Sequence, residues 1–315
     1  MTSRRLIRTK VLHILYSYIK KEKITLAEIE RDLLKSIDKS TDLYYLIFLL
    51  LTEIQHKSFL KIDTGKNKYF ATEQELNPNL RFMENPIFAI IGNNKKFKTT
   101  VKNYALSWAD YPEIIDNIYK EMIKSEAYEA YMNKSRVTFE DHKQVIMQIF
   151  VNNIVQNELF IQILEDKNIF WNDDLALVFE LVYKTLKNLP SEANEDSNIF
   201  MQIYKNDEDI DFAKTLLHKS IFDFNAHIEI INQFTQNWEI ERLAEMDKLI
   251  MIIAISELKY FPSIPVKVTL DEYIEISKSY CSPKSGSFIN GVLDKAVVYL
   301  KEKGLINKMG RGLME

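Results

Sequence analysis

An all-helical fold follows from three features of the sequence. Only seven glycines and seven prolines interrupt 315 residues, and 46% of positions are hydrophobic. Long stretches rich in Leu, Ile, Glu, Lys and Asn carry their apolar residues at spacings of three and four. Sandwiches and doubly wound sheets need turn residues far more often than this. The length allows one large domain or two smaller ones, with enough apolar side chains for a substantial core.

The first helix is expected from about Ser3 to Lys21, with a wide apolar stripe of Ile7, Val11, Leu12, Ile14, Leu15 and Tyr18. Arg4, Arg5 and Arg8 fall on its first two turns, where the helix dipole is also positive. Thr25 and Glu28 form a possible capping box that opens a second helix to Ser36. A third, strongly apolar helix runs from Asp42 to about Leu60. Gly65, Pro78, Pro86 and Gly92 then punctuate a stretch without helical periodicity, read as an irregular connection from Asp63 to Asn94. Lys95, Lys96, Lys98 and Lys102 follow as a small basic cluster, the start of a solvated helix.

Further helices are expected at 99–109, 111–132, 138–166 and 173–188, with Pro112 suited to a first helical turn. Leu189 to Asp211 holds seven acids against Lys205 and reads as a surface linker. Helices at about 208–235, 239–260, 270–281 and 286–302 come next, joined by short turns into an antiparallel bundle. Pro262 and Pro265 separate the second from the third. Thr269 and Glu272 form a second possible capping box, and Gly304 sits where a C-terminal cap belongs. In the last helix Ile289, Leu293, Ala296 and Leu300 make the apolar stripe, while Asn290, Asp294 and Lys301 lie on another face. Gly291, inside that helix, suggests close approach of another backbone.

Charge is unevenly distributed. Residues 1–23 hold seven Lys/Arg against Glu22, a local +6, and residues 284–311 hold six against Asp294 and Glu302, a local +4. With a net charge of −4, the rest of the chain carries −14. Basic ends on an acidic body suggest a localised polyanion site. Three guanidiniums at one helix start fit phosphate oxygens, although a solvated basic terminus has the same composition.

The single cysteine, Cys281, excludes an internal disulfide and a thiolate metal cluster, which points to a reducing compartment, with the cytoplasm as default. The N-terminus lacks the apolar core of a signal peptide, and the greasiest run, Leu43 to Leu51, is too short to cross a bilayer. Glu53-Ile54-Gln55-His56 is half of a di-iron motif with no second copy, so no metal is expected. Glycine is too scarce for a phosphate loop, and the five histidines show no ligand spacing. No cofactor and no catalysis are expected.

The block Phe288-Ile289-Asn290-Gly291-Val292-Leu293-Asp294-Lys295 resembles the F-V-N-G-V-L-D-K signature of the NusB antitermination family. Pro265-Val266-Lys267-Val268, Leu270-Asp271-Glu272 and Ile276-Ser277-Lys278 are similar to that family's P-x-K-V, I-N-E and L-A-K run. Glu241-Arg242-Leu243, Asp247, Ile250 and Ala254-Ile255-Ser256-Glu257-Leu258 are similar to the helix before it. Arg4-Arg5-x-x-Arg8 followed by Leu15-Tyr16 resembles its arginine-rich start. The resemblance covers roughly 1–58 and 206–303, which implies a NusB-like antiparallel bundle made of residues 1–58 and 206–315, with a helical insertion of unknown role at 59–205.

The resemblance implies a non-catalytic, cytoplasmic factor in transcription antitermination of ribosomal RNA operons. Its partners would be a single-stranded, boxA-like RNA element, a small-subunit ribosomal protein and the RNA polymerase antitermination assembly. Arg4, Arg5 and Arg8 would neutralise phosphates; Tyr16, Phe288 and Asn290 would orient bases; Lys267, Lys284 and Lys295 would contact the backbone. Met251, Asp271 and the segment Lys284-Ser285-Gly286-Ser287 depart from the family pattern. The competing expectation is a helical scaffold that binds protein without RNA.

Overall fold

The computed structural model describes residues 2–21, 24–204, 206–235 and 244–313. Fifteen α-helices account for most of them: α1 (Thr2–Lys20), α2 (Leu26–Lys66), α3 (Glu73–Leu76), α4 (Pro86–Asn93), α5 (Lys95–Asn103), α6 (Pro112–Met122), α7 (Glu126–Asn133), α8 (Phe139–Ile149), α9 (Glu158–Lys167), α10 (Leu175–Lys187), α11 (Asn206–Phe222), α12 (Phe224–Phe234), α13 (Glu245–Tyr260), α14 (Val266–Tyr280) and α15 (Ser285–Glu302). A π-helical segment, Phe150–Val155, follows α8 directly. No strand occurs among the described residues. The fold is all-α, as the spacing of apolar residues predicts.

The chain forms two compact units, one from Met1–Ile37 with Tyr204–Glu315 and one from Asp38–Ile203. In the first, α13 is the central helix, because every residue from Leu249 to Leu258 is buried and a helix apolar all round must be surrounded. It packs against α1, α11, α12, α14 and α15. From α1 come Ile7, Val11, Leu12, Ile14 and Leu15, all in the same core. Each fully buried Ile or Leu contributes roughly 1.5–3 kcal/mol of transfer free energy.

The start of α2 carries the capping box as expected. Thr25 N–H donates to Glu28 Oε2 (2.9 Å) and Glu28 N–H donates to Thr25 Oγ1 (3.3 Å). The second expected box does not form. Pro265 starts α14 one turn early, so Thr269 lies inside the helix and Glu272 is turned to another partner. After α15, Lys303 closes the helix and Gly304, at φ +65°, makes a Schellman turn. Its signature is Leu305 N–H to Leu300 O (2.8 Å) with Gly304 N–H to Lys301 O (3.0 Å). The tail then folds back: Met309 N–H donates to Pro262 O (3.0 Å), and Lys308 Nζ donates to Phe261 O (3.0 Å). At Gly312 a Cβ would lie 1.9 Å from Pro262 O, so only glycine fits.

The second unit is organised around the later part of α2 and an aromatic cluster of Tyr44, Tyr45, Phe48, Phe97 and Phe200. Two expectations fail here. Residues 37–41 do not break α2, because polar groups there find tertiary partners: Ser40 Oγ donates to Asp174 Oδ2 (2.5 Å), and Trp171 Nε1 donates to Lys39 O (2.7 Å). The acidic stretch after Leu189 is not a loose linker either, since Phe200 and Ile203 are buried and Lys95 pairs with Glu195 and Asp196.

Helices expected at 111–132 and 138–166 are each divided. Ser125 caps a new helix by accepting from Tyr128 N–H, and Asn157 caps another by accepting from Phe160 N–H. The start of the helix expected at 239, with Glu241, Arg242 and Leu243, lies outside the described residues.

Candidate nucleic-acid interface

The three arginines of α1 sit in very different environments. Arg8 is 2% exposed and donates to both oxygens of Glu257, from Nε at 2.7 Å and Nη2 at 2.8 Å. Thr269 Oγ1 (2.9 Å) and the Tyr273 hydroxyl (3.1 Å) donate to the same carboxylate, which is itself fully buried. Burial lowers the Arg8 pKa, but the Glu257 charge and its hydrogen bonds outweigh that and hold it above the ordinary value. Arg5 makes a half-exposed bidentate pair with Glu272, at 2.8 and 2.9 Å. Arg4 Nε donates to Asp209 at 3.2 Å, and its guanidinium lies over the Phe212 ring, 5.2 Å from the centroid.

These contacts place Arg5 and Arg8 beside the first two turns of α14, where Lys267 is exposed, and Arg4, one residue from Arg5, against α11. The other end of α14 gathers different chemistry. The His13 and Tyr280 rings meet edge to face at 5.0 Å, so the middle of α1 reaches the α14–α15 corner. Tyr16, 39% exposed, is one turn further along α1, with Lys20 Nζ 5.5 Å from its ring centroid. Ser277 Oγ lies 3.5 Å from the Cβ position of Gly286, which seats the first turn of α15 on the last turns of α14. Lys284 is exposed at this corner and Phe288 is half-buried against the core. Asn290 donates to Asp294 Oδ2 (3.0 Å), and Lys295 is exposed one residue beyond.

The expected site is thus divided along α14. Glu272, which binds Arg5, and Tyr280, which binds His13, are eight residues apart, about 12 Å of helix rise. Arg4, Arg5 and Lys267 stand at one end; Tyr16, Lys284 and Phe288 at the other. Gly291 does not admit a neighbouring backbone, since a Cβ there would meet nothing within 4 Å. The counter-ions Glu257, Glu272 and Asp209 were the residues the pattern hid. Glu257 had a readable signal, a carboxylate inside the apolar run from Leu249 to Leu258, which requires a buried cation.

A serine, a histidine and an aspartate also converge in this unit. Ser256 Oγ is 3.3 Å from His227 Nδ1, and Asp223 Oδ2 is 3.7 Å from His227 Nε2. Both Ser256 and His227 are fully buried, and the serine hydroxyl donates to Ile252 O (3.0 Å). Lys259, which can only donate, is 3.4 Å from Nε2, so that nitrogen accepts and Nδ1 carries the proton. The group is a packed polar network, not an accessible nucleophile. Among the described residues no cluster of three or more His, Cys, Asp or Glu could hold a metal, and no helix is long and apolar enough to cross a membrane.

Residues 176–297 match the model of the NusB family. The chain carries a NusB family domain. Over 104 residues the chain is 42% identical to "Transcription antitermination protein NusB" of Salinibacter ruber, covering 33% of this chain and 65% of that one. The protein of the same name from Chloroherpeton thalassium is 42% identical over 97 residues, 31% of this chain and 44% of its own. That from Dictyoglomus turgidum is 40% identical over 86 residues, 27% and 60% respectively. The chain therefore spans less than two thirds of the length of each of these relatives. No solved structure matches it.

Proposed function

We propose that this protein is a non-catalytic transcription antitermination factor that binds single-stranded RNA on nascent ribosomal transcripts, together with a small-subunit ribosomal protein. The observation that carries the reading is the NusB domain, whose relatives are named for antitermination. In the first unit, which holds most of the matched stretch together with α1, Arg4, Arg5 and Lys267 offer phosphate contacts at one end of α14, and Tyr16, Lys284, Phe288, Asn290 and Lys295 offer base and backbone contacts toward the other.

Magnitudes sort the arginines. A half-exposed pair such as Arg5–Glu272 is worth roughly 0–1 kcal/mol, so a phosphate can displace the carboxylate. Arg8–Glu257 is buried on both sides, and removing one partner of such a pair costs roughly 3–5 kcal/mol. Arg8 therefore organises the helix that presents Arg4 and Arg5 and does not touch the strand itself.

The test is titration of the purified chain with single-stranded and duplex RNA across salt concentrations. Arg5→Ala and Lys284→Ala should each lower the log-log salt slope by roughly 0.7 per lost phosphate contact. A chain that binds neither RNA ends the proposal. A protein-only scaffold is the second reading, favoured by one observation: each α1 arginine already has a carboxylate partner.

A further inference from the structure

The second unit contains a groove of about 590 Å³ between α7 and α8 that the antitermination reading does not use. One wall is a row of carboxamides, Gln144, Gln148 and Asn152, four residues apart and all exposed. The facing side offers Ala127 and Ala130, small enough to let a backbone come close. Glu126 also lines the groove, as do Lys134 and Asp141, which pair with each other at 2.6 Å.

The row is straighter than an α-helix alone would make it. Eight residues of regular α-helix turn a side chain about 80° away from its starting direction. Asn152 lies in the π-helical segment, whose wider turn underwinds the helix and brings it back toward Gln144 and Gln148. Successive amides are then separated by roughly 6 Å of rise. An extended peptide repeats its outward N–H and C=O groups every two residues, roughly 6.6 Å. Each carboxamide can donate to a carbonyl and accept from an N–H of the same peptide. The charges discriminate further: Glu126 and Asp141 against Lys134 leave the groove slightly acidic, unfavourable for a phosphate backbone.

We propose that this groove binds an extended, unstructured segment of a partner protein by its main chain, about four residues of it lying along the amide row, with a Lys or Arg side chain directed to Glu126. The inference does not depend on RNA binding by the other unit.

The test uses the full chain as bait for a displayed library of unstructured peptides about twelve residues long. Enriched peptides should bind about tenfold or more weakly to the Gln148→Ala/Asn152→Ala variant. N-methylation of alternate backbone amides should abolish binding, and methylation of the intervening ones should leave it. If the double variant loses helical content, Ala130→Trp, which fills the floor from an exposed position, supplies the same readout. No enriched peptide, or affinity unchanged in these variants, overturns the proposal. So does a randomised single-stranded RNA whose binding is lost in them, since the groove would then belong to nucleic acid.

Discussion

Replacing Arg8 by methionine should destabilise the first unit far more than any other change at its arginine-rich end. Glu257 is fully buried and accepts four hydrogen bonds, two of them from Arg8. Without the guanidinium, Thr269 and Tyr273 can still donate, but the carboxylate keeps a buried charge with no cation in contact. A buried pair broken on one side costs roughly 3–5 kcal/mol, whereas replacing both partners with apolar side chains is often neutral or stabilising. The variants are Arg8→Met, Glu257→Leu and the double. Hydrogen exchange of α1 and α13 amides reads the first unit directly; at 1.36 kcal/mol per decade, the single Arg8→Met should speed exchange of the slowest amides by roughly 2–4 decades. The double variant should recover most of that loss. A cost below about 1 kcal/mol for the single, or a double variant as unstable as the two singles summed, would refute the claim that this pair is locked by burial.

Acid should destabilise the first unit through His227. Burial first, and the nearby Lys259 charge second, hold its pKa down at about 4. The unfolded chain takes up that proton near pH 6.5, so stability is full above 6.5 and falls toward pH 4 by up to about 3 kcal/mol; His227→Asn should flatten the difference in pH-dependent urea midpoints. Gly291→Ala should stabilise by about 1 kcal/mol, because the site is an exposed helix interior with open space around the new methyl, as a thermal melt would show. Gly304→Ala should destabilise instead, since φ there is +65°. Gly312→Ala should release the C-terminal tail, seen as lost exchange protection at the Met309 amide, with little change in the core of α13.

Much of the architecture could be read from spacing alone, and the reasons are visible in particular residues. The all-round burial of Leu249 to Leu258 and the stripe through Ile289, Leu293, Ala296 and Leu300 are long, periodic signals. Local capping was readable at Thr25 and at Gly304 but misleading at Thr269, because Pro265 already sets the helical φ one turn earlier. Polar residues at 38–41 looked like a break because the partners of Ser40 and Lys39, Asp174 and Trp171, are more than a hundred positions away. The same distance hid the fate of the arginines. Charge and position suggested Arg4, Arg5 and Arg8 as equivalent phosphate ligands, while the carboxylates that separate their roles, Asp209, Glu257 and Glu272, belong to helices from the other end of the chain.

That last arrangement constrains how the molecule is made. The first unit draws on residues up to Ile37 and then from Tyr204 onward, so α1 and its apolar stripe leave the ribosome before the helices that cover them exist. About 170 residues intervene, which at roughly 5–20 residues per second is on the order of ten to thirty seconds of synthesis. For that interval Ile7, Val11 and Leu15 lack the later helices that bury them in the finished unit. The interposed unit, continuous in sequence, can complete its own core while the bundle still waits for its closing helices.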